Sequence, residues 1–294
     1  MPFATSWDDF RLVSAIAECG SLVGAAEKLG INHSTAFRRL GALENALGSR
    51  LFERARSGYT ATPAGDEMIA LASRIAENVA DFERSVAGRD VKPAGTLRVT
   101  TNDTFVSYLL APIFVSFRRA YPDILLDVIV THQPLNLSRR DADIAIRATA
   151  EPPETLVGRK MPVFAWCCYA PNEWLENGRL RDPSPPWIGY GQALSALPAA
   201  RWLQDEVRPA EIGCRFDTLI GVAQGIAAGL GVAAIPCFIG DQIPSIGRTG
   251  DLLRFGDALW LLTHADLRQS ARVRAFMDHA ANELAARKAL IEGR

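Results

Sequence analysis

The chain has 294 residues, enough for two or three domains that each bury a core. Its net charge of −1 gives no overall attraction to nucleic acid, so any such role must rest on local clusters of charge. The five cysteines (19, 167, 168, 214 and 237) are odd in number and have neither metal-ligand nor redox-motif spacing, so reduced thiols are expected.

Ser6 and Asp9 have the spacing of a capping box, so a first helix is expected there. Phe10, Val13, Ile16 and Ala17 would face inward, with Cys19 packed at the helix end. Ser21 is a good N-cap for a second helix, in which Leu22, Ala25, Ala26 and Leu29 recur at spacings of three and four. Gly30 is the natural stop, Ile31 plugs the turn, and Asn32 caps a third helix. There Ala36, Leu40, Leu43 and Leu47 make the buried stripe, leaving His33, Ser34, Thr35, Phe37, Arg38 and Arg39 off it. Two helices joined by a tight turn, the second opening on polar side chains, are the layout of a helix-turn-helix that sets its second helix in the DNA major groove. Arg38 suits bidentate pairing with guanine, while His33 and Thr35 suit hydrogen bonds or a thymine methyl contact. An ordinary helical hairpin with a solvated polar end has the same period, so periodicity alone leaves both readings open.

Gly48 ends the third helix, residues 50–54 alternate weakly, and residues 56–59 turn the chain back, as in a small β-hairpin wing. Arg54 and Arg56 would then be available to phosphate. Between positions 31 and 60 there are five arginines against Glu44 and Glu53, a local charge of +3 on a surface suited to a DNA backbone. Thr62 and Pro63 read as an N-cap followed by proline at the first helical position, opening a helix that runs to about Gly88.

This order of elements, with the run L-G-S-R-L-F-E-R and then T-P-A-G, resembles the LysR-type transcriptional regulators. The resemblance covers the whole chain and is most specific over residues 43–54 and 62–65. It implies an α/β protein with an N-terminal winged helix-turn-helix (1–62), a coiled-coil dimerisation helix (63–89) and a two-lobed effector domain (95–290) like the periplasmic binding proteins. The DNA contacts expected are Ser21, Asn32, His33, Ser34, Thr35, Phe37, Arg38, Arg39, Arg54 and Arg56. The family often has proline where Ser34 stands and a small polar residue where Phe37 stands, so the target sequence is not carried over. For Phe37, packing against a neighbouring helix and apolar contact with a base are both open.

In the long helix, Met68, Ala72, Ile75, Val79, Phe82 and Val86 alternate at spacings of four and three, the period of a two-stranded coiled coil. Packing of this seam on its own domain is the other reading. A dimer would present two recognition helices to two half-sites.

Residues 88–95 mark a boundary, after which strands and helices alternate: a strand at 96–100, a helix at about 104–120, and strands at 124–130 and 143–146. That order implies a largely parallel sheet. The resemblance places lobe one at 95–163 plus 264–290 and lobe two at 164–263, with crossovers near 163–165 and 262–264.

Ligands of such sheets bind at the carboxyl ends of strands, beside helix N-termini. Asn102, Asp103 and Thr104 follow the first strand, Thr131 and His132 end the next, and Arg147 follows Ile146. Arg147 suits an anionic effector, or equally an ion pair with Asp143 or Glu151; Asp103 suits helix capping. From lobe two, Thr218 is expected at the rim, with Tyr190 and Gln192 lining the cleft and His264 hydrogen-bonded at the hinge.

No phosphate-binding glycine motif, nucleophile elbow or metal spacing of the four histidines occurs, so neither enzyme activity nor a cofactor or metal is expected. The expected partners are promoter DNA, a small-molecule effector, further copies of the chain as dimer or tetramer, and RNA polymerase. Residues 219–239 are apolar but interrupted by Gln224, four glycines and Pro236, which argues for a buried helix and strand rather than a membrane span. With no basic-then-apolar segment at the N-terminus, a cytoplasmic location is expected. The alternatives are a solute-binding protein, which leaves residues 1–90 unexplained, and a redox-responsive regulator using Cys167 and Cys168, for which core packing is the competing reading. Residues 291–294 reproduce a protease recognition sequence used in expression vectors and are read as an expression-tag remnant.

Overall fold

The computed structural model describes residues 5–55, 58–86, 92–131, 142–180, 185–255 and 257–294. The chain divides into two compact units, Met1–Val91 and Lys92–Arg294.

The first unit holds α1 (Trp7–Cys19), α2 (Leu22–Leu29), α3 (His33–Leu47), a hairpin of β1 (Phe52–Ala55) and β2 (Gly58–Ala61), and α4 (Pro63–Val86). The helix stops Gly30 and Gly48 both have φ of 65°, a left-handed turn that a side chain would strain. The core gathers Leu12, Val13, Ile16, Ala25, Ala36, Leu40, Leu43, Leu51, Phe52 and Met68. The expected α3 stripe therefore holds as far as Leu43, but Leu47 in the last turn is 42% exposed. Cys19, expected to pack, is exposed. The Thr62 hydroxyl starts α4 by accepting from the Gly65 amide at 3.1 Å while donating to the Arg50 carbonyl at 2.7 Å, so it also ties the wing to the helix. Of the heptad seam, Met68 and Ala72 are buried within this unit whereas Val79 is 41% exposed. The side chains of Phe82 and Val86 lie outside the described residues.

The second unit begins with β3 (Gly95–Thr101), α5 (Asp103–Phe105), a π-helical turn (Val106–Leu110), α6 (Ala111–Ala120), β4 (Ile124–Val130), β5 (Ile144–Thr149) and β6 (Leu156–Val163). It continues through β7 (Trp166–Pro171), α7 (Asn172–Glu176), β8 (Trp187–Tyr190), α8 (Pro198–Glu206), β9 (Ile212–Phe216), α9 (Leu219–Ala227), β10 (Ala233–Pro236), α10 (Cys237–Gly240) and β11 (Ile246–Arg248). The chain then returns as β12 (Ala258–His264), α11 (Ala271–Ala286) and α12 (Lys288–Ile291). Lobe one is a five-stranded sheet of order β4-β3-β5-β12-β6. Phe117 of α6 meets Phe276 of α11 edge-on, with ring centroids 4.9 Å apart. Lobe two holds the β10-β7-β11 sheet and the β8-β9 pair, with α9 packed on both.

Two expectations need correction. The lobe-one sheet is mixed: β3 runs parallel to β4 and β5, but β12 runs antiparallel to β5 and β6. β12 is the strand that comes back from lobe two and so enters the sheet from the opposite end. For the same reason the second crossover lies before Ala258, not at 262–264. The two crossing segments run side by side, the Phe164 amide donating to the Asp257 carbonyl at 3.0 Å and Trp166 bridging Leu253. Phe105, Phe164 and Phe238 cluster there with centroids 5.4–5.8 Å apart. His264 lies beyond this hinge; its Nδ1 accepts from the Asp266 amide at 3.3 Å.

Residues 291–294 are built into this unit. Ile291 is fully buried and its carbonyl accepts from the Ala165 amide at 3.1 Å. Arg248 donates to the Gly293 carbonyl at 3.0 Å.

Candidate DNA-reading surface and effector cleft

The α3 helix sorts its polar residues onto two faces. His33, Ser34, Phe37 and Arg38 are exposed together, at spacings that put them on one side of the helix. Thr35 and Arg39 lie on a half-buried flank, where Arg39 reaches Asp8 at 3.6 Å and Asp9 at 3.5 Å in the first turn of α1. Asp9 also receives the Ser6 amide and hydroxyl, so the capping box fixes a carboxylate that in turn holds Arg39. Ser21 is occupied as a cap, accepting from the Gly24 amide at 3.1 Å. Asn32 stands at the N-cap of α3 with no side-chain cap hydrogen bond, which leaves its amide for other partners. Arg56 lies outside the described residues.

Arg54 is engaged within the fold. Its Nη2 meets Glu44 Oε2 at 3.0 Å, and its guanidinium carbon lies 5.3 Å from the Phe37 ring centroid and 5.9 Å from that of Tyr59. Glu44 is 8% exposed, and its other oxygen accepts from the amides of Leu51 and Phe52 at 2.9 and 3.3 Å. In the sequence Glu44 reads only as a charge. The signal that marks it is its position seven residues after Phe37, on the same helix face.

In the second unit the strand ends converge as expected, with one change of role. Arg147 donates to the Thr131 carbonyl at 2.6 Å and to the Thr100 hydroxyl at 2.8 Å. Burial pulls its guanidinium below the ordinary arginine value, because the charged form is partly stripped of water. Thr101, the next residue along β3, is fully buried, and its hydroxyl has no hydrogen-bond partner among the described residues. Asn102 caps α5, accepting from the Phe105 amide at 2.8 Å. Asp103 accepts from the amide and hydroxyl of the buried Thr104 at 2.7 and 3.2 Å.

Across from them Thr218 caps α9 by accepting from the Gly221 amide at 3.0 Å, and α5 and α9 lie in contact. Gln192 is exposed in the short turn after β8. Asp217 fills the place a side chain on Gly191 would need, its Oδ1 lying 2.1 Å from where a Cβ would stand, so a larger residue there would displace the Asp217 carboxylate. Tyr190, expected at the cleft, is a core residue instead: it is 8% exposed and its hydroxyl donates to the Ala234 carbonyl. His132 falls outside the described residues.

The cysteine pair lies in the lobe-two core. Burial pushes the Cys167 thiol up, and that of Cys168 up to about 12. Oxidation needs the thiolate, so at neutral pH both are poor redox sensors, and the geometry favours packing. Among the described residues no group of three or more His, Cys, Asp or Glu side chains is placed to hold a metal, and no helix is long and apolar enough to cross a membrane.

A winged helix-turn-helix followed by a two-lobed module with polar groups at its strand ends defines a class, the DNA-binding regulator that carries its own ligand sensor. Comparison with known proteins narrows it. The pattern of the bacterial regulatory helix-turn-helix proteins of the lysR family matches residues 7–66, and that of the LysR substrate binding domain matches residues 91–285. This chain belongs to the LysR-type family of transcriptional regulators.

The chain is 31% identical over 179 residues to an HTH-type transcriptional regulator of Xanthomonas campestris pv. campestris, a match covering 61% of this chain and 52% of that protein. It therefore spans about half the length of that relative. It is 26% identical over 294 residues to CrgA of Neisseria meningitidis serogroup C, covering 95% of this chain and 97% of CrgA. The solved structure of CrgA, a LysR-type regulator from Neisseria meningitidis, has the same fold, with a TM-score of 0.56 and 22% identity over 95% of this chain and 99% of that one.

Proposed function

We propose that this protein is a sequence-specific regulator that binds promoter DNA through His33, Ser34, Phe37 and Arg38 and whose occupancy is set by a small anionic effector held between the lobes. The observation that carries the effector reading is the strand-end cluster: a partly desolvated Arg147 guanidinium on the Thr131 carbonyl and the Thr100 hydroxyl, with the next residue, Thr101, buried and its hydroxyl without a hydrogen-bond partner among the described residues. An unsatisfied buried hydroxyl costs about 1–3 kcal/mol, a penalty that a hydrogen-bonding occupant relieves. Thr131, Asn102 and Thr218 supply further polar groups at the same rim. Arg39 and Arg54 orient the DNA-binding unit rather than contact bases, since both have carboxylate partners within the fold.

The exposed Val79 beyond the buried Met68 and Ala72 supports a seam in which the N-terminal part of α4 serves its own unit and the rest meets a second copy. Closure of the lobes on the effector would alter the geometry of the paired recognition helices in a dimer or tetramer. A cytoplasmic location and contact with RNA polymerase belong to the same reading.

The test is fluorescence anisotropy on DNA taken from upstream of the protein's own gene, with a panel of small carboxylates. Wild-type protein should bind with an affinity that falls linearly in log salt and shifts with one member of the panel. Arg147→Ala should keep the basal affinity and lose the shift. An effector response that persists in Arg147→Ala would remove Arg147 from the site.

A further inference from the structure

The geometry points to Phe37 as a base-reading side chain that Arg54 and Glu44 hold in place, so that Arg54 is a positioning residue of the recognition helix and not a phosphate ligand. The inference rests on the DNA-binding reading above and assigns the residues that set its specificity.

Phe37 is 50% exposed, on the same face as His33, Ser34 and Arg38. A half-exposed aromatic ring is a poor core residue, so the packing reading of Phe37 accounts for only part of its surface. The part that is covered has a charged partner, the Arg54 guanidinium 5.3 Å from the ring centroid. Within about 6 Å a guanidinium is attracted to the negative face of a ring.

Arg54 itself has little freedom. Glu44 Oε2 holds one of its nitrogens at 3.0 Å, and the Tyr59 ring lies 5.9 Å from its carbon. Glu44 in turn is fixed by two backbone amides at the base of the wing. Tyr59 is fixed by its own amide, which donates to the Gly20 carbonyl at 3.0 Å. The chain of contacts therefore runs from the α1–α2 turn and the wing base through one arginine to the ring on α3. A guanidinium that spends its charge on a buried carboxylate and an aromatic face has less to offer a phosphate. The free cation on the reading face, with no ion pair among the described residues, is Arg38.

The base group that matches an exposed phenyl ring is the C5-methyl of thymine, the apolar feature of the major groove. Phe37 is therefore assigned to one thymine in each half-site, and loss of the Arg54 contact should loosen that preference without removing a phosphate contact.

The test selects bound sequences from a randomised duplex library and measures salt dependence for wild type, Phe37→Ser, Phe37→Tyr, Arg54→Gln and the Phe37→Ser/Arg54→Gln double variant. Phe37→Ser should flatten preference at one thymine position, and Phe37→Tyr, which keeps the ring, should retain it. Arg54→Gln should lower discrimination at that same position by about two- to fivefold, with an unchanged salt slope. In the double variant Arg54→Gln should add nothing to Phe37→Ser. Arg54→Lys, which keeps a cation near Glu44 but not the guanidinium, is the check against a folding defect. It should keep wild-type thermal stability and salt slope and lose part of the discrimination that Arg54→Gln loses. A salt slope reduced by about one per protomer in Arg54→Gln, with base preference intact, would overturn the inference and make Arg54 a phosphate ligand. A wild-type protein that selects no sequence at all would instead defeat the DNA-reading proposal, and the two failures are distinct.

Discussion

The two units place their functional residues in opposite ways. In the first, the proposed reading face is one side of one helix, and the wing and α1 supply ion pairs beside it: Asp9 on Arg39, Glu44 on Arg54. In the second, the polar groups come from the ends of separate strands and from a helix of the other lobe, at positions 100, 101, 131, 147 and 218. A rigid helix face suits a partner of fixed geometry such as a duplex. A rim assembled across a hinge suits a ligand that must be closed upon. The two units also differ in what fixes their cations. The α3 arginines are sorted into Arg39, paired with carboxylates, and Arg38, which has no ion pair among the described residues, whereas Arg147 reaches the Thr131 carbonyl and the Thr100 hydroxyl at the strand ends.

The strongest way to break this contrast is to unfold one unit and not the other. Phe52 in the first unit and Phe117 in the second are fully buried, so Phe52→Ala and Phe117→Ala should each cost about 3–5 kcal/mol. In calorimetry each should lower only the transition of its own unit. A single transition shifted equally by both would show that the units fold as one.

Next in size is Arg38→Ala, expected to lose about 1–3 kcal/mol of discrimination for the specific duplex in anisotropy titrations while effector affinity stays the same. Arg39→Ala should instead act through stability, because its partners are Asp8 and Asp9.

High pH should separate the units again. Cys168 ionises near 9.0 when unfolded and at about 12 when folded, so the folded state keeps the proton longer. Its stabilising contribution is complete below about 9 and is lost as pH rises towards 12. The transition of the second unit should fall over that window by more than that of the first, where the exposed Lys28–Glu18 pair also weakens at high pH, and alkylation of Cys168 in the native protein should stay slow at pH 8. Rapid alkylation there would reopen the redox reading.

The smallest effect distinguishes two caps. Ser21→Ala removes a made hydrogen bond and should cost about 1 kcal/mol. Asn32→Ala removes none within the fold, so thermal stability should change less than in Ser21→Ala.

How much of this was legible in the sequence follows the same division. The helix stops at Gly30 and Gly48, the caps at Ser6, Ser21 and Thr62, and the α3 stripe to Leu43 depend on local spacing, and a period exposes them. Leu47 continues the period into the last turn of α3, but it is exposed, since burial depends on what the fold packs against a position and not on spacing alone. The contact between Arg54 and Glu44 is invisible to local spacing because the two are ten residues apart and meet only once the hairpin folds back. In the second unit the strands were visible, but the direction of β12 was not, since orientation depends on which lobe the chain returns from. Tyr190 illustrates the limit most clearly. A strand end was foreseen, yet whether its ring turned to the cleft or to the core depended on β10, more than forty residues on.

The central claim is that one chain reads a DNA sequence with its first unit and is adjusted by a small molecule in its second. Anisotropy titration of full-length protein on own-promoter and scrambled duplexes, each with and without the small-carboxylate panel, tests it most directly. Tighter, salt-dependent binding to the promoter duplex that shifts with an effector, and no shift in Arg147→Ala, is the predicted result. Equal affinity for both duplexes under every condition would contradict the account.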